Sequence, residues 1–398
     1  MTVFYDELRR DLDELGRASL RRSLRLLSGV GLRVAVAGKR LLNLASNDYL
    51  GLAGHPRVKA GAIDAIERCG AGAGASRLVA GHLDLHAQVE QRLTALKTAS
   101  PGCGSLLLPT GYMANLAVLT ALAGPGDLVC VDKLVHASLI DAARSCGAAV
   151  RSYPHLQTAK LERLLARHRR EHEGAEGPRR PRRFIVTDSI FSMDGDAADL
   201  PALADLARRH EAVLVVDEAH ATGVLGEHGA GLAELQGAAG RVDISISTAS
   251  KGLGSLGGIV TARQEVIDTL VNRGRPMIYT TGAMPAQAGA ILAALDVVRD
   301  EPWRRQRVLA LSAMVRDRLT EAGWLLPATT VPTPIVPLVV AEAAEALSLA
   351  DRLREAGILA VAIRPPTVPP GSARVRISLR ADLEDADVEQ VLAAIGKR

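Results

Sequence analysis

Ala212-Val213-Leu214-Val215-Val216-Asp217-Glu218-Ala219-His220 is the stretch on which the fold turns: an unbroken apolar run, then two carboxylates and a histidine. A short run of branched apolar residues bounded by polar ones reads as a strand buried on both faces. An acid at the end of such a strand is costly unless a positive group or a hydrogen-bond donor meets it. On its own the acid is equally well a helix cap or a surface carboxylate. Similar strand runs occupy 105–108, 128–131, 150–153, 184–188, 244–248 and 258–261, with helical stretches such as 114–122, 161–169 and 200–209 between most of them. Strands alternating with helices predict a mostly parallel seven-stranded sheet covered on both faces, an α/β fold. Ligands of such sheets bind beyond the strand ends.

Two more strand ends carry candidate chemistry. After 244–248 comes Thr248-Ala249-Ser250-Lys251-Gly252-Leu253-Gly254, a lysine among small residues. Desolvation there lowers an amine's pKa, and a neutral amine condenses with a carbonyl; a surface lysine beside a glycine turn has the same spelling. Gly252 to Gly257 also matches GxGxxG, but an apolar run follows where a helix should begin, so the dinucleotide reading fails. Pro109-Thr110-Gly111-Tyr112-Met113-Ala114-Asn115 is a turn into a helix, whose first N–H groups suit a phosphate. His136 follows the next strand and could stack on a ring. His82 and His86 are spaced i, i+4 but lack the intervening glutamate of a zinc helix, so no metal is expected.

Around this centre, residues 5–28 show helical periodicity through Leu8, Leu12, Leu15 and Leu20, and 32–43 reads as a hairpin. Beyond Pro285 longer helices (286–298, 308–322) and a few strands (335–340, 360–363, 373–378) suggest a smaller α+β domain. The expected organisation is therefore 1–45, 46–285 and 286–398. The loop 171–183, with Gly174, Gly177, Pro178 and Pro181, reads as a solvated insertion without catalytic meaning. Its basic run lacks interleaved aromatics, and Lys plus Arg (48) barely exceeds Asp plus Glu (44), so nucleic acid is not an expected partner. Four scattered cysteines without a CxxC pair fit a reducing cytoplasm rather than a disulfide framework. No run approaches the ~18 apolar residues of a membrane span.

In chain order, Ser46-Asn47-Asp48-Tyr49-Leu50-Gly51-Leu52, Thr110-Gly111-Tyr112-Met113-Ala114-Asn115, His136-Ala137-Ser138-Leu139, Phe191-Ser192-Met193-Asp194-Gly195-Asp196, Asp217-Glu218-Ala219-His220 and Thr248-Ala249-Ser250-Lys251-Gly252 resemble the landmarks of the α-oxoamine synthases. These are fold-type I enzymes of pyridoxal 5′-phosphate (PLP), aspartate aminotransferase-like in fold. The resemblance runs from Arg21 to about Leu392 and implies a role for each landmark. Lys251 is the amine that binds PLP covalently, and Asp217 pairs with the pyridine nitrogen. His136 stacks on the ring, while His220 and Ser192 lie near the phenolic oxygen. Gly111, Tyr112 and Met113 with Thr248 hold the phosphate, and Thr280 and Thr281 reach the phosphate of a partner subunit in a homodimer. Arg376 grips the amino-acid carboxylate, with Asn47 and Arg21 nearby. Ile363-Arg364-Pro365-Pro366-Thr367-Val368-Pro369 resembles members that use a pimeloyl donor, which puts Thr367 at the substrate. The implied reaction is a decarboxylative condensation of L-alanine with pimeloyl-CoA or a pimeloyl carrier protein, in biotin biosynthesis. A sibling transferring acetyl to glycine, or a non-catalytic subunit of this fold, are the alternatives; retention of Lys251 speaks against the second.

Overall fold

The computed structural model describes residues 3–172 and 180–398. Gly174, Gly177 and Pro178 of the expected insertion lie outside them. The strands, in chain order, are β1 (Arg33–Val36), β2 (Lys39–Asn43), β3 (Cys103–Leu108), β4 (Leu128–Asp132), β5 (Ala149–Tyr153), β6 (Arg183–Asp188), β7 (Ala212–Asp217), β8 (Ile244–Thr248), β9 (Gly258–Arg263), β10 (Ile335–Ala341), β11 (Ile358–Leu359), β12 (Val361–Ile363) and β13 (Ala373–Ser378). The chain forms two compact units, one of Asp48–Ser192 with Asp196–Gln306, the other of Met1–Asn47, Met193–Gly195 and Arg307–Arg398.

The larger unit holds all seven strands foreseen in its sheet, in the order β3-β9-β8-β7-β6-β4-β5. β4, β5, β6, β7 and β8 run parallel; β9 is antiparallel to both of its neighbours. Every residue of β4 and β6 is buried, as the unbroken apolar runs require of strands covered on both faces. Parallel strands put the ends of β4, β6, β7 and β8 on one edge, the edge where α/β sheets bind ligands. The helices Pro56–Cys69 and Pro285–Asp300 cross at Gly61 and Gly289. A Cβ on Gly289 would come within 2.2 Å of the Gly61 carbonyl oxygen, so only glycine lets the two backbones meet. That contact keeps Pro285–Asp300 with the large sheet, and this unit runs on to Gln306 rather than stopping at 285.

In the smaller unit β1 and β2 form the expected hairpin, turned by Ala37 and Gly38 at φ of 47° and 78°, and β11 adds to β2 in parallel. β13 lies between β10 and β12, antiparallel to both. Residues 193–195 join this unit: Arg374 pairs with Asp194, and the Thr333 hydroxyl donates to the Gly195 carbonyl at 2.8 Å. The first helix covers Val3–Arg17, shorter than the periodicity of 5–28 suggests. Ser19 takes a left-handed φ of 57°, and the Leu20 N–H folds back to the Leu15 carbonyl, which ends the helix. No described residue of that helix is buried.

One polar contact lies deep in the larger unit. Lys97 Nζ meets Glu218 Oε2 at 2.8 Å and the Thr222 hydroxyl at 2.8 Å, and also donates to the Ala230 carbonyl; both charged side chains are at most 3% exposed. Removing one partner leaves the other charge buried and unmatched. Lys97→Ala should therefore cost about 3–5 kcal/mol in urea unfolding, while Lys97→Met with Glu218→Gln costs distinctly less. Equal losses in the two variants would show that volume, not charge, is what matters there.

Candidate active site

β6 and β7 end in register on Asp188 and Asp217, so two carboxyls stand side by side at the sheet edge. Asp217 accepts from Asn115 Nδ2 at 2.8 Å and from the Ala219 N–H at 2.9 Å. Burial pushes the Asp188 carboxyl well above the usual carboxylate range, and the neighbouring Asp217 charge adds to the rise. Asp188 in turn receives the His136 N–H at 3.2 Å.

Asn115 belongs to the helix Gly111–Leu122, and its second amide hydrogen goes to Ser138 Oγ at 2.8 Å. Ser138 lies on the helix Ala137–Ser145, which His136 caps. His136 Nδ1 faces both the Ser138 hydroxyl at 2.6 Å and the Ser138 N–H at 3.3 Å. Because Nδ1 accepts the Ser138 N–H it carries no hydrogen, so the hydroxyl donates to it as well, and the imidazole hydrogen is left on Nε2. Burial lowers the His136 pKa; Asp217 opposes the shift and Lys251 adds to it, so the ring is neutral at pH 7.

Thr110 caps the helix Gly111–Leu122 by accepting the Met113 N–H at 3.2 Å, which leaves the first N–H groups, of Gly111 and Tyr112, open. Thr248, the last residue of β8, donates its hydroxyl to the Gly257 carbonyl at 2.9 Å. Lys251 follows in a turn fixed by Gly254, whose φ is 60° and where a Cβ would come within 2.3 Å of the Ala53 nitrogen. Beyond β7, His220 Nδ1 meets the Tyr49 hydroxyl at 2.7 Å.

These groups surround one cavity of about 250 Å³ within the larger unit. Of the residues expected at a site, Gly111, Tyr112, His136, Asp217, His220, Thr248 and Lys251 line it. Met113 does not, its N–H being committed to the helix cap. Ser192 is buried outside the lining; Thr280 is half-buried and Thr281 exposed, the latter bridged by its backbone to Ser76. In the smaller unit Arg376 donates to Asn47 Oδ1 at 2.8 Å, and Arg21 and Thr367 line a separate cavity. Asn115, Ser138, Asp188 and Tyr49 were not singled out from the sequence. The signal for Asn115 was available, since a buried Asp217 needs a donor and Asn115 is the polar residue inside the Thr110–Asn115 run.

His155 was missed as well. Its ring nitrogens contact Asp132 Oδ1 at 2.9 Å and Asp196 Oδ2 at 2.7 Å, and its ring meets Phe191 edge-on, centroids 4.4 Å apart. Burial alone would lower its pKa, but the two hydrogen-bonded carboxylates outweigh that and carry it up to about 10. Arg77, to which no role was given, pairs with Glu90 at 2.6 Å and with the Leu107 carbonyl at 2.8 Å, so it braces β3. His86 spends its ring nitrogens on the Ala283 carbonyl and the Leu83 N–H.

The family model for aminotransferase class I and II matches residues 39–395. The 8-amino-7-oxononanoate synthase of Geobacter sulfurreducens is 44% identical over 97% of this chain and 96% of its own length. That of Anaeromyxobacter dehalogenans is 46% identical over 97% and 93%. Among solved structures, serine palmitoyltransferase from S. paucimobilis, with PLP bound, superposes with a TM-score of 0.89 at 26% identity, covering 98% of this chain and 96% of that one. An 8-amino-7-oxononanoate synthase from Francisella tularensis gives 0.73 at 25% identity, over 89% and 96%. The fold is that of the fold-type I PLP enzymes.

The His155 clamp has a pH signature. Its folded pKa of about 10 lies above the ordinary 6.5, so its contribution is complete below the lower value and fades as pH rises through the upper one. His155→Gln should cost about 1.5–3 kcal/mol near pH 6 and progressively less toward pH 10. Urea unfolding across that range checks it; a loss independent of pH would rule out a charged imidazole.

Proposed function

Since the chain belongs to the aminotransferase class I and II family, we propose that it is a PLP-dependent acyltransferase joining L-alanine to a pimeloyl thioester. The products are 8-amino-7-oxononanoate, carbon dioxide and the free thiol, in biotin biosynthesis. The acyl donor is pimeloyl-CoA or a pimeloyl carrier protein. The observation that carries the reading is the single cavity on which an amine (Lys251), a fixed carboxylate (Asp217) and an open helix start (Gly111, Tyr112) converge.

The donor set fits the coenzyme group by group. Asp217 suits a protonated ring nitrogen, and the neutral His136 suits a ring face. Gly111 and Tyr112 N–H groups suit a phosphate, which the Thr248 hydroxyl would join by turning from the Gly257 carbonyl. A Cβ on Gly111 would stand 3.3 Å from Thr248 Oγ1, crowding that cradle. Asn115 Oδ1 is buried without a hydrogen-bond partner among the described residues, an acceptor left over beside Asp217. When bound, PLP supplies an aldehyde for the amine and a ring that accepts the electron pair left at an amino acid's Cα.

Lys251 would hold the coenzyme's aldehyde through its amine, and the same amine, when free, would take the proton from the alanine Cα. Asp217 keeps a proton on the ring nitrogen. The alanine Cα would then bond to the thioester carbonyl carbon as the thiolate leaves, the alanine carboxylate would depart as carbon dioxide, and the electron pair left at Cα would take up a proton to give the product. Arg376, steadied by Asn47, holds that carboxylate through acyl transfer and releases it afterwards, which calls for a two-point grip. Arg21, near that carboxylate, and Thr367 serve the substrates, and His220 and Ser192 the phenolic oxygen. Thr280 and Thr281 serve the phosphate of a second subunit in a homodimer of the cytoplasm. No described helix is long and apolar enough to cross a membrane.

Mass spectrometry after incubation with L-alanine and pimeloyl-CoA should find 8-amino-7-oxononanoate. Product from glycine and acetyl-CoA in its place would redirect the assignment to a sibling activity. Lys251→Ala should lose turnover by about 10²–10⁴-fold or more and retain no coenzyme after borohydride reduction. Coenzyme trapped covalently in that variant would refute the role of Lys251. Arg376→Lys should lower kcat/KM for L-alanine by about 10–100-fold, because an ammonium offers no bidentate pair. Ordinary kinetics in that variant would remove Arg376 from the site.

A further inference from the structure

Two loops that line the cavity each turn on a buried acid. The first leaves β4 at Asp132 and reaches His136: Asp132 Oδ1 accepts the Leu134 N–H at 2.9 Å, and the Asp132 carbonyl accepts the Val135 N–H at 3.3 Å. The second leaves β6 at Asp188 and doubles back, the Ala198 N–H meeting the Ser189 carbonyl at 2.9 Å and the Phe191 N–H the Asp196 carbonyl at 3.0 Å. It brings Ile190 to the cavity, as the first brings His136. The side chains of Asp132 and Asp196 are only 1% and 11% exposed, so each charge needs an answer inside the protein. Among the described residues one cation answers both. His155 stands with Nδ1 2.9 Å from Asp132 Oδ1 and Nε2 2.7 Å from Asp196 Oδ2. Asp196 Oδ1 is buried with no hydrogen-bond partner among the described residues, so this carboxylate depends on the imidazole.

An ionised carboxylate only accepts hydrogen bonds, so one on each ring nitrogen requires two N–H groups, and a neutral imidazole has one. The contacts alone therefore make His155 a cation. Burial opposes that charge, but the two carboxylates outweigh it, as the pKa of about 10 reflects. The buried Phe191 ring packs edge-on against the imidazole, centroids 4.4 Å apart, so the clamp rests on a fixed floor. From the sheet side His136 is already held, its N–H by Asp188 at 3.2 Å and its ring by Ser138. What those contacts leave open is its distance from the loop after β6. We propose that His155 is a positioning residue for the reaction: by tying Asp132 to Asp196 it fixes the separation of His136 and Ile190 across the two loops. A facing group misplaced by about 1 Å can cost about 10²-fold in rate, so a residue outside the cavity acquires a kinetic role. The inference rests on the acyl-transfer reading for its rate and on the fold alone for its geometry.

Two variants loosen the clamp and keep most of its volume: His155→Gln removes the cation, and Asp196→Asn removes one acid. Both are assayed at a temperature where circular dichroism shows them folded. With L-alanine and pimeloyl-CoA, kcat should fall about 10–100-fold in His155→Gln and about two- to tenfold in Asp196→Asn, while KM for L-alanine changes less than about twofold. Nuclear magnetic resonance of the coenzyme-free protein, with its histidine nitrogens labelled, should find both His155 ring nitrogens protonated at pH 7. The His136 signals, identified by their loss in His136→Asn, should report the fixed Nε2–H tautomer and drift toward the tautomer average in both clamp variants. Should His155→Gln fail to fold, Asp196→Asn carries the same comparisons. His136 signals unmoved by loosening the clamp overturn the proposal, as does a loss of thermal stability with kcat unchanged. If the unsubstituted chain forms no product, the acyl-transfer reading itself has failed. The His136 signals then judge the clamp alone: movement upholds it, and constancy overturns it.

Discussion

A carboxylate at the buried end of β7 is the constraint from which the site is assembled. Asp217 is buried but for the side that faces the cavity, so it persists only if the fold brings donors to it. One donor is local, the Ala219 N–H. The other, Asn115, comes from the helix after β3, and its amide, held by the acid, also fixes Ser138 and through it His136. The same helix begins four residues earlier with the open N–H groups of Gly111 and Tyr112. At 1.5 Å per residue, the phosphate-binding end and the carboxylate's donor are separated by about 6 Å along one axis. Satisfying one buried acid thus sets the spacing between the two anchors that a ring bearing a phosphate requires.

The next residue shows the opposite use of an acid. Glu218 is more deeply buried than Asp217, but it accepts from Lys97, from the Ala233 N–H and from the Ser245 hydroxyl. Its charge is matched within the protein, so it acts as a fastener between the helix Asp84–Lys97 and the turn after β7. Asp217 receives no cation of that kind from its hydrogen-bonding partners, which are neutral N–H groups. A carboxylate so held has its geometry fixed and its charge unspent, the state needed to receive a cationic ring nitrogen.

The sheet was legible because its strands are buried on both faces, and an unbroken apolar run can hardly do anything else at that length. The residues lining the cavity were legible for a related reason: Asp217, Lys251 and Gly111 each follow such a run. Legibility failed where a residue's meaning depends on distant partners. Asn115, Ser138 and His155 are ordinary helix or loop polar residues until the fold brings Asp217, Asn115 and Asp132 beside them. The leucines of the first helix misled for the converse reason. Leu8, Leu12 and Leu15 follow helical spacing, yet they stay more than 40% exposed, and a single left-handed residue, Ser19, stops the helix that the spacing would have prolonged. The smaller unit draws its chain from both termini, and Pro285–Asp300 stays with the large sheet through a glycine crossing that no periodicity announces.

Electrostatic economy at the sheet edge follows from the same placements. Two carboxyls in register cannot both be ionised cheaply in a dry setting. Asp217 has two N–H donors aimed at it, whereas Asp188 has the His136 backbone N–H, and burial holds Asp188 toward its neutral form. His136 is neutral as well, with Nδ1 filled by Ser138 and its hydrogen on Nε2. With Asp188 held toward its neutral form, Asp217, fixed by two N–H donors, is the better placed of the pair to pin a cation. A stacking ring that carried charge would compete with a cationic pyridine for Asp217; a neutral one does not. The Asn115–Ser138–His136 chain therefore does more than hold a side chain in place. It assigns the protons around the cavity before any ligand enters.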